Sequence, residues 1–172
     1  NKLLSFNLSE KESIVTSIKS DALNRRLVIG YSNGVVKIVS AISGSLLSDN
    51  IKEPLEGGCN YVIFAILASN KYIVAGNGRN SLVLYEDHPS KNMRFLRGYH
   101  GHSEQISKIY NLKDTYLLSI GMGSELFLWS NKLTVPSFRY SLPNDPTTAA
   151  DLAFSDSLFL VGDVHGFVHI MD

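Results

Sequence analysis

Four segments of this chain repeat one pattern at a nearly constant interval, and a repeat of that length leaves few folds open. They are Arg26-Leu27-Val28-Ile29-Gly30, Tyr72-Ile73-Val74-Ala75-Gly76, Leu117-Leu118-Ser119-Ile120-Gly121 and Leu158-Phe159-Leu160-Val161-Gly162. Each is an apolar run ending in glycine, and the glycines stand 46, 45 and 41 residues apart. A short turn follows each: Ser32-Asn33-Gly34, Asn77-Gly78-Arg79-Asn80, Met122-Gly123-Ser124 and Asp163-Val164-His165-Gly166. Gly, Asn and Asp tolerate the positive φ that tight hairpins require. A second β-type run comes next, as in Val35–Val39, Ser81–Tyr85, Leu126–Trp129 and Phe167–Met171. A third run precedes each hairpin, typified by Ile14–Ile18 and Ala149–Phe154, and a more polar fourth, such as Met93–Leu96, closes the unit. No window of helical length carries a 3.6-residue period, so the chain reads as all-β.

The middle strands are apolar at nearly every position instead of alternating, which predicts burial on both faces. A sandwich strand buries one face only. Four-stranded units repeating every 40 to 46 residues, with two-sided burial, fit the blades of a β-propeller stacked around an axis. The expected division is an outer strand of a preceding blade over 1–10, blades over 13–56, 57–100 and 101–142, and an incomplete blade over 143–172. Lys2–Leu8 looks like an outer strand without its three inner partners. It could complete the last blade and close a four-bladed ring, or end a blade that precedes the chain. The second reading is preferred, which makes these about four blades one half of a seven- or eight-bladed ring, with apolar end faces that need further sequence or a partner to cover them.

Composition narrows the partners. The 172 residues are 44% hydrophobic and 19% charged, an ordinary globular balance. Sixteen basic side chains offset sixteen acidic ones, and no Lys/Arg run supplies the footprint of a phosphate-binding surface, so nucleic acid is not favoured. The longest apolar stretch, Tyr61 to Ala68, is too short to span a bilayer, so membrane insertion is not expected. Cys59 is the one cysteine, which suits an intracellular, reducing compartment, the cytosol first and the nucleus or cilium next. Asn7-Leu8-Ser9 matches a glycosylation acceptor, a triplet that arises by chance. The chain opens without Met and inside a strand-like run, and is expected to be a piece of something longer.

The third unit resembles a WD repeat at Gly101-His102 and Trp129-Ser130, the Trp standing 27 residues after the His. In that family a loop His, a strand Ser, a turn Asp and the Trp form one hydrogen-bonded set that pins the blade. The resemblance gives His102, Ser119 and Trp129 three of those structural roles. The Asp position, six residues before the Trp, holds Gly123. In the other units the Trp position reads Val39, Tyr85 and Met171, and the following Asp position Ser40, Glu86 and Asp172. The resemblance implies a non-catalytic scaffold for protein–protein interaction within a larger multiprotein assembly, with no cofactor and no small-molecule substrate.

One string offers an enzymatic alternative. Gly162-Asp163-Val164-His165-Gly166 resembles the first metal-binding motif of calcineurin-like phosphoesterases, where Asp and His bind one ion of a two-metal centre. The family's later motifs are missing, and the string falls where three other repeats place a hairpin turn. Gly76–Asn80 has the look of a phosphate loop but leads into a strand, not a helix. His100, His102, His165 and His169 with Cys59 do not amount to a zinc motif, and no metal site is expected. Arg25-Arg26 reads as an exposed turn, and Phe64, Phe127 and Phe159 as core. No catalytic constellation emerges.

Propellers bind through loops held rigidly around the ring mouth. Here that face is expected to carry Asn33, Arg79, Asn80, His100, Ser124, Asp163 and His165, with Arg79 as the anchor. A protein or peptide partner suits its mixed polarity. A phosphorylated peptide is a further alternative and would need two or more arginines converging.

Overall fold

The computed structural model describes residues 5–52, 54–67, 70–87, 92–112, 115–130, 134–143, 146–155 and 158–171. These hold fifteen strands and no helix. The first sheet contains β1 (Val15–Ser20), β2 (Arg26–Tyr31), β3 (Val36–Ser40) and β4 (Leu46–Asp49), paired in chain order. The second holds β5 (Cys59–Leu67), β6 (Asn70–Asn77), β7 (Ser81–Glu86) and β8 (Arg94–His100), and the third β9 (Ile106–Leu112), β10 (Tyr116–Gly121), β11 (Glu125–Ser130) and β12 (Phe138–Ser141). The fourth has three strands: β13 (Pro146–Ser155), β14 (Leu158–Asp163) and β15 (Val168–Met171). Every pairing between these strands is antiparallel, so each sheet is a simple meander and successive sheets stack face to face as blades.

Strand register places the repeats against one another and corrects the alignment on glycine. The hairpin pairs nearest the second-to-third-strand turn are Gly30↔Val36, Gly76↔Leu82, Ile120↔Leu126 and Gly162↔Val168. Ile120, not Gly121, therefore occupies the glycine position in blade three. The turns agree: Gly34, Asn80, Ser124 and Gly166 each take a left-handed φ, between 61° and 87°, at one equivalent position. Gly34 also needs to be glycine because a Cβ there would collide with the Leu55 carbonyl.

In this register the two faces of each blade separate cleanly. Val28, Val36 and Ile38 of blade one pack with Val62, Ala75 and Tyr85 of blade two. Val74, Leu82 and Leu84 of blade two pack with Leu117, Phe127 and Trp129 of blade three. Leu118, Ile120 and Leu126 of blade three meet Leu142, Val161 and Met171 on the way into blade four. Burial on both faces, the sign that separates a propeller blade from a sandwich strand, follows from this stacking. The side chain of Phe159 lies outside the described residues.

Residues 5–9 are not in a strand, contrary to the expected outer strand, and Glu10 makes one bridge, to Ser13. They nevertheless lie along blade one: Phe6 packs at Gly44 in the β3–β4 turn, the Leu8 carbonyl accepts from the Tyr31 hydroxyl at 2.5 Å, and Glu10 pairs with Lys37 at 2.5 Å. Leu8 thereby joins Ile29, Tyr31 and Val39 in a small apolar cluster. Residues 1–4 and Asp172, the position that retains the WD-type Asp, lie outside the described residues.

Candidate interaction face

In blades two, three and four, three side chains meet where the incoming link crosses the hairpin. In blade three they are His102 from the link, Ser119 from β10 and Trp129 from β11. The Trp129 indole N–H donates to Ser119 Oγ at 2.7 Å, and Ser119 Oγ lies 2.6 Å from His102 Nε2. The proton arrangement that satisfies all three places the ring hydrogen on Nδ1, so that the serine hydroxyl donates to Nε2. His102 stacks on Phe127 with ring centroids 4.3 Å apart. Gly101 permits this, since a Cβ there would stand 2.8 Å from the Phe127 ring. Burial pushes the imidazole pKa down to about 4, against the upward pull of the Glu125 carboxylate, 3.5 Å from Nδ1. Glu125, two residues beyond Gly123, thus stands nearest to the missing Asp. Its Oε2 also accepts the Ser103 N–H at 2.7 Å.

The equivalent sites are apolar. Leu55, Ala75 and Tyr85 take these places at blade two, and Leu142, Val161 and Met171 at blade four. The backbone supports this equivalence, because Leu55 N donates to Gly34 O at 2.9 Å and Leu142 N to Ser124 O at 2.7 Å. The Tyr85 hydroxyl accepts from the buried Asn50 Nδ2, 3.1 Å away. Sequence reasoning finds the polar set through its Trp and Gly-His. The two apolar sets carry no such signature.

The turns between second and third strands stand at one rim with the links. Asn33 is exposed there, its Oδ1 accepting the Val35 N–H at 3.1 Å. Arg79 is exposed and pairs with Glu56 of the preceding link at 2.6 Å. With both partners open to solvent, such a pair contributes little stability. Asn80 is half-buried, and its Nδ2 donates to the Ser103 carbonyl at 2.7 Å, tying the turn to the next link. Ser124 is half-buried at its left-handed turn position. His100 closes β8, exposed, with Nδ1 2.7 Å from Ser81 Oγ.

Asp163 and His165 part company. His165 is exposed, whereas Asp163 is buried and unavailable to a partner, a correction to its expected place on the open face. Asp163 Oδ1 accepts the N–H groups of His165 and Phe167, both at 2.9 Å, and Oδ2 lies 3.0 Å from His169 Nε2. An unpaired carboxylate could not remain inside the blade, so the turn closes around it. Asn77 does the same in blade two, its Oδ1 accepting from Arg79 and Ser81. The Gly-Asp-x-His-Gly string is therefore a capped hairpin turn. Among the described residues no three His, Cys, Asp or Glu side chains gather in a way that could hold a metal.

Other rim residues carry no signal in the sequence. Met122 and Val164, at the turn tips of blades three and four, are exposed apolar side chains. A cleft of about 200 Å³ opens beside the link between blades one and two, lined by Leu55, Glu56, Val83, Tyr85 and Phe95 among others. At the opposite rim Arg26 is no exposed turn residue. Its Nη1 meets both Asp87 carboxylate oxygens at 2.9 Å, its Nε meets Asp21 at 3.1 Å, and the guanidinium lies 4.9 Å from the Phe64 ring centre. Burial would raise the Asp21 carboxyl, but the Arg25 N–H and the Arg26 guanidinium outweigh it and hold the group below its usual range. Cys59 is fully buried between blades one and two, and burial pushes its thiol up to about 12, which leaves it unreactive.

No protein-family model matches the chain, and no curated protein matches it. Solved structures do. A chain of a structure described as the crystal structure of the mitotic checkpoint complex superposes with a TM-score of 0.78 over 94% of this chain and 48% of its own, at 17% identity. The computationally designed protein Ika4 superposes with a TM-score of 0.74 over 99% of this chain and 96% of its own, also at 17% identity. The chain thus spans about half the length of the first and nearly all of the second. At such identities the likeness concerns the fold, and with the registers above it makes the chain a run of four consecutive β-propeller blades.

Proposed function

We propose that the chain is a non-catalytic protein-binding scaffold of WD-repeat type, working inside the cell as part of a multiprotein assembly. The observation that carries the reading is the rim: interlocked turns present Arg79, Met122, Val164 and His165 in fixed positions on one side of the blades. Exposed apolar tips beside an arginine are the composition of an interface centre, where aromatic, Met and Arg side chains are enriched. The occurrence of a similar chain in the mitotic checkpoint complex supports a life in assemblies without naming a partner. A single cysteine, with no second one in the sequence to pair with, suits a reducing compartment. A phosphopeptide is a weaker fit, because it asks for two or more converging arginines and the rim turns include one, Arg79.

The test is affinity capture from cell extract, followed by mass spectrometry, with the chain and a rim variant, R79E/M122E/V164E, as baits. The scaffold reading expects a reproducible protein set with the first bait and its loss with the second, both baits having the same circular dichroism. Retention of the same set by the variant would move the interaction off this rim. Metal-dependent hydrolysis of a phosphate ester by the purified chain, abolished in His165→Ala, would replace the scaffold with an enzyme.

A further inference from the structure

Register shows why a cleft of about 200 Å³ opens between blades one and two. In the crevice between blades two and three, three rings lie together: Tyr99 and Phe127 each stand edge-on to Trp129, with ring centroids 5.5 Å apart. The Arg139 guanidinium adds its bulk 5.2 Å from the Phe127 ring centre. One blade earlier the same places hold less. Val83 takes the place of Phe127, and its β8 partner Gly98 that of Arg139. Asn50, across from Val36 as Tyr99 is from Leu82, carries a short amide in place of the phenol ring. Tyr85 stands for Trp129 and meets Phe95 edge-on at 6.4 Å, with Phe95 49% exposed.

Both walls of the cleft are four-stranded blades, so the opening is a property of this contact. Leu55, Val83, Tyr85 and Phe95 give it apolar and aromatic walls. Asn77 lines it too, although only 7% exposed. The Arg79 and Ser81 N–H groups occupy the Asn77 Oδ1, which leaves the amide N–H groups to face the cleft. Glu56 is the one charged residue of the described lining. Its pair with Arg79 is open to solvent on both sides, so a cation from outside can share that carboxylate at little cost. Pockets for cofactors and metabolites run from about 300 to 1,000 Å³, so this one is small for a free molecule and suits one side chain.

We propose that this cleft is a separate binding site, which takes an aromatic side chain from an extended segment of a partner protein, with a basic residue beside that ring paired to Glu56. The ring supplies here what Tyr99 supplies in the next crevice, standing against Tyr85 and Phe95 and contributing through buried area and edge-to-face contact. The Asn77 amide donates to a backbone carbonyl of the segment, which satisfies a donor already held in place by its own turn. The negative charge of Glu56 selects the sign of the neighbouring residue. This site lies apart from the turn tips at Met122 and Val164, and it shares with the rim reading only the protein nature of the partner.

Methyl-resolved nuclear magnetic resonance of the chain tests this, with an end-blocked Gly/Ser peptide carrying one Phe followed by one Arg as the probe. Saturable shifts of the Leu55 and Val83 methyl signals are expected, with a dissociation constant of about 1 mM or lower. Replacing the peptide's Phe by Ala should weaken binding about tenfold or more, and replacing its Arg by Glu about threefold. Val83→Phe installs the residue that blade three uses and should abolish the shift at Leu55 with circular dichroism unchanged. Glu56→Lys, on an exposed side chain, should make the chain prefer the peptide with Glu in place of Arg. M122E/V164E should leave the peptide bound, so failure here and failure of the rim reading appear separately. Equal affinity for the Ala peptide, or no shift at Leu55 and Val83 at about 10 mM peptide, would overturn the proposal. Binding of N-acetyl-phenylalanine amide as tight as that of the peptide would overturn it in favour of a small-molecule site.

Discussion

The contact between blades two and three and the contact between blades one and two solve the same packing problem with opposite chemistry. At the first, Trp129, Ser119 and His102 form a buried polar chain against Leu82 and Leu84. At the second, Tyr85, Ala75 and Leu55 fill the same three places without bonding one another, and the one polar group among them, the Tyr85 hydroxyl, is met by the buried Asn50 of blade one. A buried donor costs free energy only when its partner is lost. Either full set is therefore stable and a mixed set is not, which explains why Ala stands beside Tyr and Leu while Ser stands beside Trp and His. The polar set adds directional bonds among its own members, and in the apolar set the one directional bond runs outside it, to Asn50.

Trp129→Ala should break the comparison most severely. It removes the largest fully buried side chain of the described core together with its contacts to Tyr99, Phe127 and His102. A cost of about 3–5 kcal/mol is expected in denaturant unfolding. An equal loss from Tyr85→Ala would show that the two contacts differ in detail only. A clearly smaller loss there would show that the polar contact organises more than its own volume.

The polar set should also answer to pH where the apolar one does not. The folded His102 titrates near 4 and an unfolded histidine near 6.5, so between those values the unfolded chain binds the extra proton. Stability is then fully present above pH 6.5, falls as pH drops through this window, and levels off below 4. The loss is at most about 3–4 kcal/mol, since each pKa unit is worth about 1.4 kcal/mol. Unfolding free energies measured above, within and near the foot of this window check it, with His102→Leu as the control that should flatten the slope.

Ser119→Ala creates the mixed set, leaving the Trp129 N–H without its acceptor in the core, at about 2 kcal/mol. Converting the whole set, H102L/S119A/W129F, should cost less than the sum of its three single substitutions, by about 1 kcal/mol or more. Strict additivity in that cycle would mean that the three side chains act independently and that the polar chain is incidental.

Much of this is legible in the sequence, and the misses have physical causes. Hairpins and blade order follow from local signals, the turn residues and apolar runs, and the His102–Ser119–Trp129 set from the resemblance to a WD repeat. Aligning on the glycine misplaces blade three by one residue, because Ile120 takes there the place that Gly30, Gly76 and Gly162 hold in the other three blades. Turn register, carried by Ser124 at φ 61°, is the truer marker. Leu55 and Leu142 escape notice because a leucine in a link looks like any other until its register is known. Asp163 reads as exposed since turn carboxylates usually are, and only the N–H groups folded over it reveal the cap.

Arg26 is the contact farthest from local reading and gives the smallest effect. Its partner Asp87 lies 61 residues away, so no local pattern announces the pair, and a double arginine before a strand suggests solvent. The structure instead uses it as a clamp at the rim opposite the turns, joining the start of β2 to the end of β7 across the same contact that lacks a polar triad. Blade one is thus held to blade two by apolar packing with a few buried hydrogen bonds, such as Ser17 Oγ accepting the Val62 N–H, and by charge at the edge. Because the side chain keeps partial access to water, screening limits the pair, and Arg26→Met should cost only about 1 kcal/mol in unfolding experiments at low salt, and less in roughly molar NaCl. An equal loss at both salt concentrations would mean that the packing of the guanidinium on Phe64, not its pairing with Asp87, fastens the edge.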